Sequence, residues 1–346
     1  MKREIFVGNV GIGGDHPVSV QSMTTTDTRD IEATLSQIKQ LYIAGCEIVR
    51  VAIPDKDAVS ALGKIQSESP LPVVADIHFN ADLAIGSIEA GADAIRINPG
   101  NIGSVEKLKR IIKAAAEKKV PIRIGVNSGS IEKKYIQPGR NRGDMMVASA
   151  MDQIKFFEDS DFHSIKLSLK SSDVRETIDA YRKIDQACNY PLHLGITEAG
   201  TFFSGTVKSA IGIGSLLVDG IGNTIRVSLT DDPVEEVKVA VEILRVLGLR
   251  ERGIEVISCP TCARVSVDLI NIVKRFESKI SEQNINKNIK IAIMGCEVNG
   301  PGEAKEADIG VAFSKRKAYI FTHGKMVAEI DPEESVDRIL EMIRDI

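Results

Sequence analysis

The chain has 346 residues, 43% hydrophobic and 27% charged, with no tryptophan and a formal net charge of −4. That length predicts a large core and two domains, and the slightly acidic balance excludes a nucleic-acid footprint or a patch for anionic membranes. MKREIFVGNV lacks the apolar core of a secretion signal, and no apolar run reaches membrane-spanning length. With five cysteines, an odd number of which three cluster late in the chain, a reducing compartment is expected, so the protein is read as cytoplasmic.

Residues 4–23 hold two short apolar runs separated by GNVGIGGDHP, a predicted hairpin leading into the first long strand. These glycines do not make a dinucleotide fingerprint, which must open a helix; Asp15, His16 and Pro17 follow, and another strand begins. From 18 to 248, strand-like runs at 18–22, 48–53, 72–78, 94–98, 121–127, 164–170, 191–197 and 223–229 alternate with helix-like runs. Ile31, Leu35, Ile38 and Leu41, and then Val105, Leu108, Ile111 and Ile112, carry helical spacing. The last helix of the series has Asp232 as N-cap, Pro233 at its first position and Gly248 past its end. Residues 44–50 echo residues 90–96 in spacing and character. Eight repeats of strand then helix predict an α/β fold, a (β/α)8 or TIM barrel over residues 1–250. AIGIGSLLVDGIG at 210–222 is readable either as a backbone cradle for phosphate or as a small-residue helix and turn.

A strand buried on both faces is normally apolar at every position, yet here one parity is aliphatic and the other polar. Ile95 and Ile97 alternate with Arg96 and Asn98; Ile122, Ile124 and Val126 with Arg123, Gly125 and Asn127; Ile165, Leu167 and Leu169 with Lys166, Ser168 and Lys170; Ile225, Val227 and Leu229 with Arg226 and Ser228. Arg50, Asp76, His78, His193 and Thr197 fall on the matching parity of their strands. The aliphatic set must face the helices, which leaves the polar set lining the barrel. Any one of these side chains can belong to a structural network with Asp76 or Glu198. Arg50, Arg96, Arg123, Lys166 and Arg226 together carry an excess of buried positive charge that calls for a polyanion, and a diphosphate at the C-terminal mouth fits.

GLRERG (248–253) reads as a polar link to a second domain over residues 251–346. Its pattern is a strand (254–257), a Cys-x-x-Cys, a long helix (263–280), a strand (289–294), a Cys loop, strands near 309–313, 318–322 and 326–330, and a closing helix (333–345), a compact α+β unit. Cys259 and Cys262 are placed at the start of the long helix, where its dipole favours thiolates, and Cys296 on a strand-end loop. Cys46 and Cys188 lie far upstream and read as small core residues. No histidine is near, but Glu303 follows the turn Asn299-Gly300-Pro301-Gly302. Three thiolates and a weak oxygen ligand suit an iron–sulfur cluster with one accessible iron. A closed structural zinc site and a redox Cys-x-x-Cys remain as alternatives.

SCPTCAR (258–264), MGCEVNGPGEA (294–304), VQSMTTTDT (20–28), VVADIHF (73–79), IRIGVNSGS (122–130) and IRVSLT (225–230) together resemble the bacterial type of 4-hydroxy-3-methylbut-2-enyl diphosphate synthase, from the first strand to the end of the chain. The resemblance implies a [4Fe–4S] cluster on Cys259, Cys262, Cys296 and Glu303, in a domain similar to the iron–sulfur domain of sulfite reductases. It implies reductive opening of 2-C-methyl-D-erythritol 2,4-cyclodiphosphate to an allylic diphosphate. On this reading Arg50, Arg96, Arg123, Asn127, Lys166, Arg226 and Ser228 hold the diphosphate, and Glu198, with Asp76 and His78 as neighbours, supplies the proton. With no nicotinamide or flavin fingerprint, electrons are expected from a flavodoxin or ferredoxin. A non-redox, diphosphate-handling barrel enzyme with a structural zinc domain is the alternative.

The last barrel helix carries the chain back by roughly 20 Å, at ~1.5 Å per residue, to the end of the barrel away from its mouth. A domain attached there by a short link reaches the mouth of an antiparallel second copy more easily than its own. A head-to-tail homodimer with composite sites is therefore expected, as the resemblance also implies.

Overall fold

The computed structural model describes residues 2–131, 133–136, 139, 141–251, 253–283, 285, 287–298 and 307–345, the side chains of residues 130, 133 and 281 excepted. The chain divides into two compact units, Met1–Leu249 and Arg250–Ile346.

In the first unit β1 (Ile5–Val7) and β2 (Val10–Ile12) form an antiparallel hairpin. Eight parallel strands follow: β3 (Ser19–Met23), β4 (Ile48–Ala52), β5 (Val73–Asp76), β6 (Ala94–Ile97), β7 (Ile122–Asn127), β8 (Ile165–Lys170), β9 (His193–Leu194) and β10 (Thr224–Ile225). They are ordered β8-β7-β6-β5-β4-β3-β10-β9. A parallel bridge between Leu167 and Leu192, with the Leu167 N–H donating to the Pro191 carbonyl at 2.9 Å, closes the ring. Seven of the long connecting helices begin at a side-chain cap, from Asp30, Asp55, Asn80, Ser104, Asn141, Asp173 and Asp232, each such cap contributing about 1 kcal/mol. The two echoing segments are equivalent αβ turns, from a helix end into the next strand. Gly45 (φ 100°) and Gly91 (φ 96°) each end a helix in the left-handed region, where a Cβ is disfavoured.

The alternation of the strands resolves as expected. Val49, Val51, Ile95, Ile97, Ile122, Ile124, Ile165, Leu167 and Leu169 pack with the helices in the main core. Inside, at the N-terminal end, Ile48, Val74 and Ala94 form a separate apolar cluster with Ile5, Val7 and Ile12. The hairpin is the floor of the barrel, and polar side chains fill the space above it.

Two expectations change. The strands expected at 191–197 and 223–229 pair as strands only over His193–Leu194 and Thr224–Ile225. At Gly195 the chain passes so close to its neighbour that an added Cβ would lie 2.6 Å from the Arg226 carbonyl oxygen. Residues 210–218 belong to the helix Phe202–Val218. Its N–H groups are spent within the helix, and Gly212 lets the helix approach Ile196, whose Cδ1 would lie 2.6 Å from a Cβ there.

The second unit is a five-stranded sheet, ordered β11 (Ile254–Ser258), β12 (Ile289–Met294), β13 (Ile309–Phe313), β14 (Ala318–Thr322) and β15 (Lys325–Ile330). The first three are parallel and the last two antiparallel. Helices Leu269–Glu282 and Ser335–Asp345 cover one face through Leu269, Phe276, Val336, Ile339 and Ile343. The first of these helices starts at Leu269, not near 263. Asp268 accepts from the Asn271 N–H at 3.2 Å and sets the start, while Pro260 and the Val265-Ser266-Val267 run disfavour helix before it.

Candidate active site

The barrel interior collects Arg50, Arg96, Arg123, Lys166, Lys170 and Arg226, six cationic side chains, against the carboxylates of Asp76 and Glu236. All but Arg226 have under 10% of their surface exposed. Asp76, at the end of β5, lies 3.1 Å from Arg96 Nη1, 3.6 Å from Arg50 Nε and 3.5 Å from His78 Nε2. Burial pushes its carboxyl upward, but Arg50, the hydrogen bond to His78, Arg96 and Arg123 hold it well below the usual carboxylate range. Asp76 is thus a fixed anion that orients two arginines. It stands beside His78 as expected, but as a carboxylate held ionised it is no proton source at neutral pH.

The other cations are less well compensated. Arg123 Nη1 donates to Gln21 Oε1 at 3.4 Å, and Arg226 Nη2 is 3.3 Å from Glu236 Oε2. Arg50 directs Nε and Nη2 to the thioether of Met23 at 3.1 and 2.9 Å. Burial, only partly offset by Asp76, pushes Arg50 down to about 10. Burial and neighbouring positive charge push Arg123, Lys166, Lys170 and His193 well below their ordinary values. Buried Arg96 Nε, Arg123 Nε, Arg226 Nε, Lys166 Nζ and His193 Nε2 have no hydrogen-bond partner among the described residues. A lumen of buried cations and unused donors is arranged to receive an anion.

At the C-terminal ends of the strands a cavity of about 780 Å³ is lined by Asn127, Ser128, Gly129, Ser172, Thr197 and Glu198, among others, within the range of small-molecule sites. Glu198 is exposed and holds φ at 50°, a left-handed conformation that costs a non-glycine residue free energy. β5 and β9 are four places apart in the ring, so Glu198 faces Asp76 and His78 from the opposite side of the mouth rather than adjoining them. Ser228 is half-buried, two residues beyond Arg226 on the same parity. Lys166 lies deeper, bordering a small void with the hairpin residues Ile5 and Val7.

In the second unit β11 and β12 pair with Ser258 opposite Ile293, which brings Cys259 beside the turn that carries Cys296. The Gly295 N–H donates to Cys259 Sγ at 3.3 Å, and Ser266 N–H and Oγ bind the Gly295 carbonyl. Cys296 is buried, Cys259 half-buried and Cys262 exposed. Cys262 lies in a loop well before the helix at Leu269, so the expected dipole effect, confined to a helix's first turn, does not reach it. Among the described residues no three His, Cys, Asp or Glu side chains stand close enough together to hold a metal ion. The structure joins Cys259 to the turn that carries Cys296. Glu303 lies outside the described residues. The donor chemistry nonetheless fits an iron–sulfur group: soft thiols at adjacent strand ends, with a peptide N–H already directed at one sulfur.

Sequence reasoning missed three lumen residues, Gln21, Met23 and Glu236, and placed Lys170 on the inward parity without assigning it to the site. Lys170 pairs in register with Asn127 and, at the end of β8, is nearer the mouth than Lys166. Gln21 and Met23 occupy the inward parity of β3. Glu236 sits on the buried stripe of the helix Pro233–Val246 and reaches Arg226, Ser22 Oγ at 3.3 Å and the Leu229 N–H at 2.9 Å. A glutamate on an apolar helix face, beside Val237 and Ala240, was the available signal.

Solved structures with a similar barrel include dihydropteroate synthase from Xanthomonas albilineans (TM-score 0.52, 11% identity, 72% of this chain and 98% of that one) and 3-dehydroquinate dehydratase from Geobacillus kaustophilus (TM-score 0.51, 14% identity, 71% and 99%). At such identity the likeness is one of fold. Close relatives in sequence are the 4-hydroxy-3-methylbut-2-en-1-yl diphosphate synthases (flavodoxin) of Clostridium perfringens, 54% identical over 99% of this chain and 98% of the relative, and Lawsonia intracellularis, 55% identical over 96% and 93%. The GcpE TIM-barrel domain matches residues 2–241 and the GcpE protein C-terminal domain residues 255–345. With both family domains in order and similarity along nearly the whole length, the chain belongs to the GcpE family.

Proposed function

We propose that this protein is a flavodoxin-dependent 4-hydroxy-3-methylbut-2-enyl diphosphate synthase. Two electrons and a proton open the ring carbon–oxygen bond of 2-C-methyl-D-erythritol 2,4-cyclodiphosphate, and a hydroxyl leaves as water. The observation that carries the reading is the six lumen cations, five of them buried and Arg226 half-buried, opposed among the described residues by the carboxylates of Asp76 and Glu236, with a cavity at the strand ends. Ring opening turns an ester oxygen into an additional phosphate negative charge. Fixed, largely buried cations favour that product-like charge over the substrate, which is where binding accelerates the reaction.

Arg50, Arg96, Arg123 and Arg226 hold the diphosphate from below, and Asn127, Ser228 and Lys170 hold it from the strand ends. Lys166 adds charge from beneath. Asp76 and Glu236 fix the directions of Arg96, Arg50 and Arg226. Glu198, across the mouth from His78, holds the proton delivered to the substrate, and its strained backbone keeps the carboxyl at the cavity. Cys259, Cys262 and Cys296, with Glu303, would hold a [4Fe–4S] cluster, which supplies the electrons one at a time. The head-to-tail homodimer belongs to this reading, since the chain leaves the barrel after the helix Pro233–Val246 at the end remote from the mouth.

Iron, sulfide and zinc analysis of anaerobically purified protein, with its visible spectrum, tests the cofactor assignment. Iron and sulfide in cluster proportion with brown absorption are expected. A stoichiometric zinc site in colourless protein would overturn it.

A further inference from the structure

The cavity at the strand ends has two kinds of wall. Asn127, Ser128, Ser172, Thr197 and Glu198 make it polar on the side of the strands, and Ile131, Ile136 and Met145 add hydrocarbon. These three come from one stretch, the segment after β7 and the first turn of the helix Arg142–Asp159. Met145 is buried, Ile131 half-buried, and Ile136 58% exposed. The segment is pinned in place by Tyr135, itself buried, whose hydroxyl donates to Asp152 Oδ2 on the same helix at 2.6 Å. A lone exposed isoleucine is ordinary. One held beside two other apolar side chains on a cavity wall is surface for a ligand to cover.

None of the three can hold a phosphate or a hydroxyl, so the diphosphate and the alcohol groups of the substrate have no use for this wall. The cyclic diphosphate carries one hydrocarbon branch, the methyl on C2. The same carbon bears the ester oxygen that is released when the ring opens. A methyl seated on the apolar wall is removed from water, and it brings C2 with it. Thr197 and Glu198 line the same cavity, so C2 then lies between hydrocarbon and the carboxyl read above as the proton source. Seating the methyl anywhere on the polar wall would instead cover hydrogen-bonding groups without replacing their partners.

We infer that Ile131, Ile136 and Met145 form the subsite for the methyl branch, and are the residues that select a branched over an unbranched cyclic diphosphate. The inference rests on the reaction proposed above and adds to it a contact that the charged groups of the lumen cannot make. One methyl group in an apolar pocket discriminates by about 10–200-fold. This wall is partly open, so the lower end of that range is expected here.

The test compares 2-C-methyl-D-erythritol 2,4-cyclodiphosphate with unbranched erythritol 2,4-cyclodiphosphate. Each is titrated calorimetrically into the anaerobic full-length protein without reductant, so that neither turns over. Wild type is expected to prefer the branched compound by about tenfold. Met145→Ala is expected to lose most of that preference by weakening the branched compound alone, with the affinity for the unbranched one unchanged. A wild type that binds the two alike overturns the inference and leaves the reaction standing, as does a preference that survives Met145→Ala. Should Met145→Ala not fold, or weaken both compounds equally, Ile136→Ser on the exposed side chain decides. A reduced preference is expected there, and an unchanged one overturns the inference. Binding of neither compound by wild-type protein carrying its full iron and sulfide would overturn the proposed reaction itself, and the subsite with it.

Discussion

Replacing Asp76 by Asn removes the charge that two buried arginines and His78 share. At an effective dielectric of about 20, attractions over the 3.1 Å to Arg96 and 3.6 Å to Arg50 are each about 5 kcal/mol. Desolvation of the charges cancels much of this, and removing one member of a buried set typically costs about 3–5 kcal/mol. Asparagine keeps the shape and one acceptor for Arg96, so a loss of about 3 kcal/mol, at the lower end of that range, is expected. For a barrel of this size that lowers Tm by about 6–12 °C. The dependence on pH follows from Arg50, His78 and Arg96 holding the carboxyl down against the upward push of burial. The contribution is complete above the unfolded-state value of ~3.9 and is lost as pH falls through the lower folded value. The difference between wild type and variant should be flat from about pH 5 to 8 and shrink only in acid. Urea unfolding of both proteins across pH, followed by circular dichroism, measures it. A difference under about 1 kcal/mol at neutral pH would refute the claim that Asp76 compensates the lumen charge, since a lone exposed ion pair accounts for that much.

Cys296→Ser should lose the brown colour and all turnover; a full complement of iron and sulfide in that variant would remove the cluster assignment. Arg123→Ala should weaken binding of the cyclic diphosphate by roughly 2–5 kcal/mol, read by calorimetry, and unchanged affinity would place Arg123 in a purely structural network with Gln21. In a heterodimer of one Glu198→Ala subunit and one Cys296→Ser subunit, each inactive alone, one composite site would pair an intact barrel with an intact cluster domain. Up to about half of wild-type activity per dimer should return; no recovery in a verified heterodimer would sink the composite site.

The barrel was legible because its sequence encodes two faces separately. The aliphatic parity of Ile122, Ile124 and Val126 packs on helices, and the interleaved Arg123 is buried inside. Asp232, Pro233 and Gly248 bounded the last barrel helix as read. Contacts between distant segments were not legible. Glu236 reaches Arg226 and Ser22 from a helix, and Gln21 meets Arg123 across the lumen from 102 residues away. The cysteine spacing indicated ligand chemistry but misplaced the helix. Local propensity in residues 263–268 is weak, and the loop is held by Ser266 contacts to Gly295, 29 residues on, which no local pattern records. The stretch at 210–222 was ambiguous because a glycine that frees backbone for a phosphate and one that lets a helix touch a strand look alike in sequence.

Anaerobic incubation of the full-length protein with 2-C-methyl-D-erythritol 2,4-cyclodiphosphate and reduced flavodoxin, followed by phosphorus NMR, tests the central claim most directly. The account predicts loss of the cyclic diphosphate signals, appearance of a linear allylic diphosphate, and two electrons consumed per molecule formed. An unchanged cyclic diphosphate, with protein that carries its full iron and sulfide and is reduced by the same flavodoxin, would contradict it.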